Sequence, residues 1–383
     1  MALFEGLRMR RVLHVMGSLE RSGMESMLLT SYPEWVRLGY KCDVVATAAA
    51  IGPIAPQMRE RGYGVFHLPL RSKWRYLPRP QFVREFYRLC RSGYDVVHLH
   101  TEAGRPLFAI LAKIAGVRQI AVTPHGTFRF RGILRVRKFI ERHLIRLLGG
   151  RFGMISEGVR ECEWNQFRIK GYRIWNWLDT FYFRPPSSEE RTRAREDLGI
   201  SDDEFVIVSV GNCSSIKNHD ALLRSITLLP ETIHPIYLHI GHEELHHPER
   251  KLAADLNIGD KVRFLESQSD PRPFLWAADV FAMPSTNEGL SIAALEAIAS
   301  STPALLSSVP GLVEIAKETR WTQLSSTEPD SIAEGITLLA KTDISERRKR
   351  ALADSDIIRH RFSPQNGLHS LIVGLYSQKT ETV

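Results

Sequence analysis

Two glutamates eight residues apart, Glu288 and Glu296, enclose a glycine and a run of small apolar residues, Gly289-Leu-Ser-Ile-Ala-Ala-Leu. Residues 278–283 before them read as a buried parallel strand, and 291–300 as a tightly packed helix. Glu288 then falls in the turn at the carboxyl end of a strand, the edge at which open α/β sheets bind ligands. Gly289 and Leu290 are expected to open the helix, so that their N–H groups and the positive end of its dipole form an anion site. Eight residues at helical rise separate the two carboxylates by on the order of 10 Å. Carboxylates accept protons from hydroxyls, so the arrangement suits a ligand with hydroxyls at both ends and a diphosphate between, which is the plan of a nucleotide sugar. The plainer alternative makes Glu288 a turn cap and Glu296 a solvated helix residue. Against it, Ala293, Ala294, Leu295, Ala297 and Ile298 surround Glu296 with apolar neighbours, where a carboxylate needs a partner.

Other segments carry polar residues where chemistry is done. In Thr-Pro-His-Gly-Thr (123–127), Pro124 forces an extended exit from a strand and Gly126 permits a sharp turn, which aims His125 out of the sheet. Residues 205–219 read as a buried strand, a polar turn with Gly211 and Asn212, and a helix start carrying Lys217. A small-residue loop at 17–25 leads into a helix and contains Gly23 and Glu25. His98 and His100 share one face of a strand, yet no third ligand or paired carboxylate follows at useful spacing, so no metal is expected there. The turn at 242–247, with Glu243, Glu244, His246 and His247, reads as a solvated loop. Each of these residues also has a purely structural reading, as a satisfied loop histidine, a helix-start lysine or a strand–helix connection.

In its strand–turn–helix setting, the 284–296 segment resembles the signature of the family 4 (group 1) retaining glycosyltransferases. The resemblance gives Glu288 the donor sugar and Glu296 the ribose. The 17–25 loop resembles the family's Gly-Gly-x-Glu loop, whose backbone approaches the diphosphate. Gly23 and Glu25 match, with Ser22 in place of the first glycine. His125 matches the histidine that contacts the sugar near the reacting centre. Lys217 matches a diphosphate-binding lysine, while Asn212 stands where an arginine is usual, and residues 172–185 match at Asn176, Asp179 and Phe183, with Trp177 replacing a glycine. The resemblance spans residues 11–377 and implies the GT-B fold, two Rossmann-like α/β domains facing across a cleft with a C-terminal helix crossing back to the first. It implies transfer of a hexosyl group, with retention, from a UDP- or GDP-linked sugar to a saccharide or lipid-phosphate-linked acceptor in cell-surface polysaccharide or glycolipid synthesis. His125 and Glu288 would act at the reacting centre, and Gly23, Asn212, Lys217, Gly289, Leu290 and Glu296 would bind the donor, without cofactor or metal. A nucleotide-sugar epimerase and a non-catalytic sugar-nucleotide-binding subunit are the other classes such a site allows.

The elements that would position these residues follow from length and pattern. A chain of 383 residues with 43% hydrophobic and 25% charged residues fits two soluble α/β domains. Strands are expected at 12–16, 42–47, 65–68, 96–98 and 119–123, then at 205–210, 235–240, 262–264, 278–283 and 303–306, alternating with helices. That pattern gives domains at 1–180 and 181–362, and the resemblance implies that 363–383 returns to the first. Neither G-x-G-x-x-G nor G-x-x-x-x-G-K-[ST] occurs, which disfavours nicotinamide and P-loop chemistry. Four scattered cysteines suit a reducing cytoplasm. The basic start with its short apolar run reads as the first strand rather than a leader, and Met9 offers an alternative start.

Charge is distributed unevenly. Residues 1–180 hold 30 Lys and Arg against 14 Asp and Glu, whereas 181–383 hold 21 against 29. A basic N-terminal half favours anionic partners, and with no nucleic-acid module in the sequence, nucleic acid ranks last. On a helical wheel, residues 129–151 place Ile133, Val136, Ile140, Leu144, Leu147 and Leu148 on one side and Arg135, Lys138, Arg142 and Arg146 on the other. This basic amphipathic helix either packs its apolar side on the sheet or brings the protein to an anionic membrane surface on the cytoplasmic face.

Overall fold

The computed structural model describes residues 8–70 and 78–377, and the reading of residues 1–7 lies outside them. The chain divides into two units, one made of residues up to Trp177 with those from Pro364, the other of Leu178–Ser363. The first unit holds β1 (Arg10–Met16), β2 (Tyr40–Ala46), β3 (Gly64–His67), β4 (Val96–Leu99), β5 (Gln119–Val122), β6 (Arg151–Met154) and β7 (Tyr172–Arg173). They form one parallel sheet in the order β3-β2-β1-β4-β5-β6-β7. The second unit holds β8 (Glu204–Val210), β9 (His234–Ile240), β10 (Val262–Phe264), β11 (Val280–Met283), β12 (Ala304–Ser307) and β13 (Gln323–Ser325). Its parallel order is β10-β9-β8-β11-β12-β13. The expected two-domain α/β architecture is borne out, and the returning helix, Pro364–Leu371, belongs to the first unit.

Parallel strands are covered on both faces by crossover helices, which is why they are apolar without alternation. Val12, Leu13, Val15 and Met16 of β1 and Val206, Ile207 and Val208 of β8 are wholly buried. Each sheet reverses its strand order once, between β1 and β4 and between β8 and β11, and ligands of such sheets bind at the carboxyl ends of the strands flanking the reversal. Lys217 follows β8 and Glu288 follows β11, while His14 and His98 are register partners on β1 and β4.

A buried carboxylate fixes the strand that carries Glu288. Asp279, just before β11, accepts from Arg191 Nη2 at 2.9 Å, Arg195 Nη1 and Arg347 Nη2 at 3.2 Å and the Val206 amide at 3.0 Å. Three guanidiniums on one carboxylate supply the charge that burial of Asp279 demands. Ser187 and Glu190 form a reciprocal capping box on the Ser188–Asp197 helix.

Of the two readings of the amphipathic helix, Gly132–Leu147, the packing of its apolar side on the sheet is not what the structure shows. Lys138, Arg142 and Ile145 are buried, whereas Ile133, Val136, Ile140 and Leu147 are 89%, 57%, 60% and 85% exposed. Acid partners explain the reversal. Arg142 donates to both oxygens of buried Glu163 at 2.6 and 2.8 Å and to Glu102 at 3.2 Å, and Lys138 pairs with Glu141 at 2.8 Å and with Glu102 at 3.4 Å. A wheel drawn from one helix cannot show carboxylates waiting on its neighbours.

Candidate active site

Lys217 and Glu288 meet in the second unit, where Lys217 Nζ donates to Glu288 Oε1 at 2.7 Å. The contact is reached because glycines close the ends of β8 and β9. Gly211 has φ +155°, and a Cβ there would sit 3.1 Å from Lys217 Cε. A Cβ on Gly241 would come 2.1 Å from the Gly211 carbonyl oxygen. The two turns therefore pack backbone on backbone and leave Lys217 room to lie across the edge. Asn212 is used inside the scaffold: its Oδ1 accepts from the His242 amide at 2.9 Å, tying the β8 turn to the β9 turn. The paired charges leave a cation and an anion side by side at the strand-order reversal, a suitable start for an anionic, hydroxyl-rich ligand.

The helix after Glu288 begins later than the sequence suggests. Ser291 caps it by accepting from the Ala294 amide at 3.3 Å, and the helix runs Ile292–Ala299. Gly289 and Leu290 therefore lie in the loop ahead of the helix rather than in its first turn, so the positive end of the dipole lies at Ile292 and Ala293. Glu296 stands in the middle of the helix, and burial pushes its carboxyl up to about 8. The protonated form that burial favours has one O–H to donate and oxygens to accept, which suits a vicinal diol.

The Glu288 loop is clamped by backbone. A Cβ on Gly311, in the Pro310–Glu318 helix, would lie 2.0 Å from the Gly289 carbonyl oxygen and 2.6 Å from that of Glu288. Gly311→Ala must displace that loop, and a shift on the order of 1 Å at a reacting centre costs about a hundredfold in rate. We expect kcat/KM to fall by at least about that factor, and the melting temperature to fall with it, because the atoms in the way are backbone. Unaltered kinetics in this variant would show that the loop does not carry the chemistry.

In the first unit, Gly23 opens the Gly23–Arg37 helix behind Ser22. The Ser22 hydroxyl donates to Glu25, and burial pushes that carboxyl up to about 6 against the hydroxyl's pull. Ser22 thus makes a hydrogen bond where a glycine would make none. His125, in the turn after β5, is bonded through Nε2 to His100 Nδ1 at 2.9 Å. The chain continues, since His100 Nε2 lies 3.0 Å from His14 Nδ1. Among the described residues, His14, His98 and His100 bring ring nitrogens within 4.8 Å of one another. His14 is the member that spacing within one strand could not reveal, because its neighbourhood with His98 is set by the β1–β4 register.

The remaining sequence candidates are structural. Glu243 is buried and takes Arg250 Nε and His247 Nδ1, each at 2.7 Å, so the 242–247 turn is closed by ion pairs rather than solvated throughout. Trp177 is folded into the first unit, where its Nε1 donates to the Met27 carbonyl at 3.0 Å and its ring packs against Gly367.

Two family models cover most of the chain. One, described as glycosyl transferases group 1, matches residues 190–353, and the other, a glycosyl transferase 4-like domain, matches residues 22–155. The chain is 26% identical to the putative glycosyltransferase EpsF of Bacillus subtilis (strain 168) over 97% of both proteins. It is 30% identical to a D-inositol 3-phosphate glycosyltransferase of Streptomyces avermitilis over 57% of this chain and 52% of that one. Anabaena HepE, solved in complex with UDP and glucose, superposes with a TM-score of 0.80 at 17% identity, covering 94% of this chain and 98% of that one.

Proposed function

The chain belongs to the group 1 glycosyltransferases, and from that premise we propose that it moves a hexosyl group, with retention, from a UDP-linked or related nucleotide sugar to a saccharide or lipid-phosphate-linked acceptor. The Lys217–Glu288 pair at the strand-order reversal carries the reading. Lys217 takes the diphosphate, Glu288 the sugar hydroxyls and Glu296 the ribose diol. Gly23, Asn212, Gly289 and Leu290 shape the backbone around the diphosphate, and His125 contacts the sugar. The acceptor oxygen forms its bond to the anomeric carbon on the face from which the nucleoside diphosphate departs, and a departing phosphate oxygen takes the acceptor's proton. Fixed cations and amides offset the charge that develops on the leaving group. UDP is favoured because HepE was solved with UDP and glucose. Release of nucleoside diphosphate from a panel of nucleotide sugars, with excess chelator and with or without acceptors, tests the reading. Acceptor-dependent release with an unchanged anomer supports it. Isomerised sugar would make the protein an epimerase, and binding without turnover a sensor.

We propose further that the Gly132–Leu147 helix rests on an anionic lipid surface. No helix among the described residues is long and apolar enough to cross a membrane. The exposed Ile133, Val136, Ile140 and Leu147 lie among exposed Arg131, Arg135, Arg137 and Arg146, the pairing of apolar and cationic side chains that seats an interfacial helix among anionic headgroups. Serine at those four apolar positions is expected to lower binding to anionic vesicles by at least about tenfold, since each large apolar side chain gains about 1.5–3 kcal/mol on burial. Equal cosedimentation of variant and wild type would mean that the helix does not enter the lipid.

A further inference from the structure

Three neutral imidazoles are strung from the core of the first unit to the turn after β5. His14 on β1 lies 3.0 Å from His100, and His100 lies 2.9 Å from His125. Burial pulls His14 and His125 down to about 3 and His100 well below its ordinary value, with the Arg105 guanidinium adding to the effect on His100 and His125. A divalent ion is a poor fit here. His98 already uses both nitrogens, with Tyr376 Oη at 2.8 Å and Thr123 Oγ1 at 2.7 Å. The cation of Arg105 lies beside the cluster, and Glu102 is already matched to Arg105, Lys138 and Arg142.

A neutral imidazole carries one proton, so the chain has two senses. In the outward sense, His14 Nδ1–H donates to His100 Nε2, His100 Nδ1–H donates to His125 Nε2, and His125 keeps its proton on Nδ1. In the inward sense every bond reverses, and His14 must carry its proton on Nε2. That Nε2 is buried and has no partner among the described residues, and the same holds for the Nε1 of Trp35. The two rings lie 5.8 Å apart. The indole Nε1–H is a donor only, so the inward sense strands two buried N–H groups, whereas the outward sense strands the indole N–H alone and leaves a bare ring nitrogen on His14.

We infer that His14 and His100 are positioning residues that polarise this chain outward and fix His125 as an Nδ1–H donor to an oxygen of the bound sugar, not as a base. The sugar contact rests on the proposed function of the site; the polarity does not.

The test is nitrogen-15 NMR of histidine-labelled full-length protein, which distinguishes protonated from bare ring nitrogens. A proton on His125 Nδ1 and a bare His14 Nε2 are expected, and a proton on His125 Nε2 would overturn the inference. His14→Phe removes the inner donor and is expected to let the His125 proton move to Nε2, with kcat falling about tenfold, the worth of one hydrogen bond, and donor KM changing less. His14→Asn can place an amide N–H where Nδ1 stood and is expected to restore both readouts. A His14→Phe protein that keeps the wild-type His125 spectrum would also overturn the inference, whatever its stability. The two proposals fail separately: an active enzyme with the inward polarity loses the relay alone, and an outward polarity in a protein that transfers nothing loses the proposed function alone.

Discussion

Replacing Glu288 with Gln is expected to lower kcat for transfer by about ten- to a hundredfold while nucleoside diphosphate binding survives. The amide keeps the shape of the side chain but loses a charge-assisted hydrogen bond, roughly twice as strong as a neutral one and worth about 1.5–3 kcal/mol. If that bond tightens as the sugar flattens and gains charge in the transition state, the loss appears in kcat rather than in KM. The structure adds a second expectation. Glu288 holds Lys217 Nζ at 2.7 Å, and the neutral amide would hold the lysine less tightly and leave it freer to meet the diphosphate. Nucleoside diphosphate should therefore bind Glu288→Gln as tightly as wild type or more tightly, while Lys217→Met weakens binding. Calorimetry on both variants with a coupled turnover assay separates the effects. Wild-type turnover by Glu288→Gln would remove this residue from the reaction.

The strands that carry the site were legible because parallel strands are buried on both faces and read as unbroken apolar runs. β8 and β11 were found in this way, and Lys217 and Glu288 follow as the polar residues at their carboxyl ends. β6 and β13 escaped because Arg-Phe-Gly-Met and Gln-Leu-Ser have neither length nor pattern. The late start of the Ile292–Ala299 helix was signalled by Ser291, a capping residue, but the apolar run around it masked the boundary. What a linear reading could not supply were pairings between distant elements. His14 joins His100 through the β1–β4 register, Gly311 clamps the Glu288 loop from another helix, and Asp279 gathers arginines from residues 191, 195 and 347. Hydropathy reports which faces are apolar, and charge neutralisation decided which face of Gly132–Leu147 went inward.

That last case yields the largest expected effect on stability. Arg142 is 2% exposed and Glu163 3% exposed, and they form a two-pronged pair in which the guanidinium also stacks 4.1 Å from the centre of the Phe167 ring. Arg142→Met leaves the Glu163 carboxylate buried without its cation, and removing one partner of such a pair costs about 3–5 kcal/mol. The melting temperature of the first unit should fall by roughly 10 °C. The pair as a whole is a different matter, because two charges taken out of water are costly to desolvate and well-packed apolar residues often replace them without loss. Arg142→Met combined with Glu163→Leu is therefore expected to recover at least half of the stability that the single change removes, measured by denaturant unfolding in a double-mutant cycle. The same reasoning sorts the arginines of this helix by role. Arg135 and Arg146 are exposed, and changing them should alter lipid binding and leave stability within about 0.5 kcal/mol. An Arg142→Met protein as stable as wild type would mean that the buried pair does not hold the helix inward, and the exposure of Ile133, Val136 and Ile140 would then need another cause.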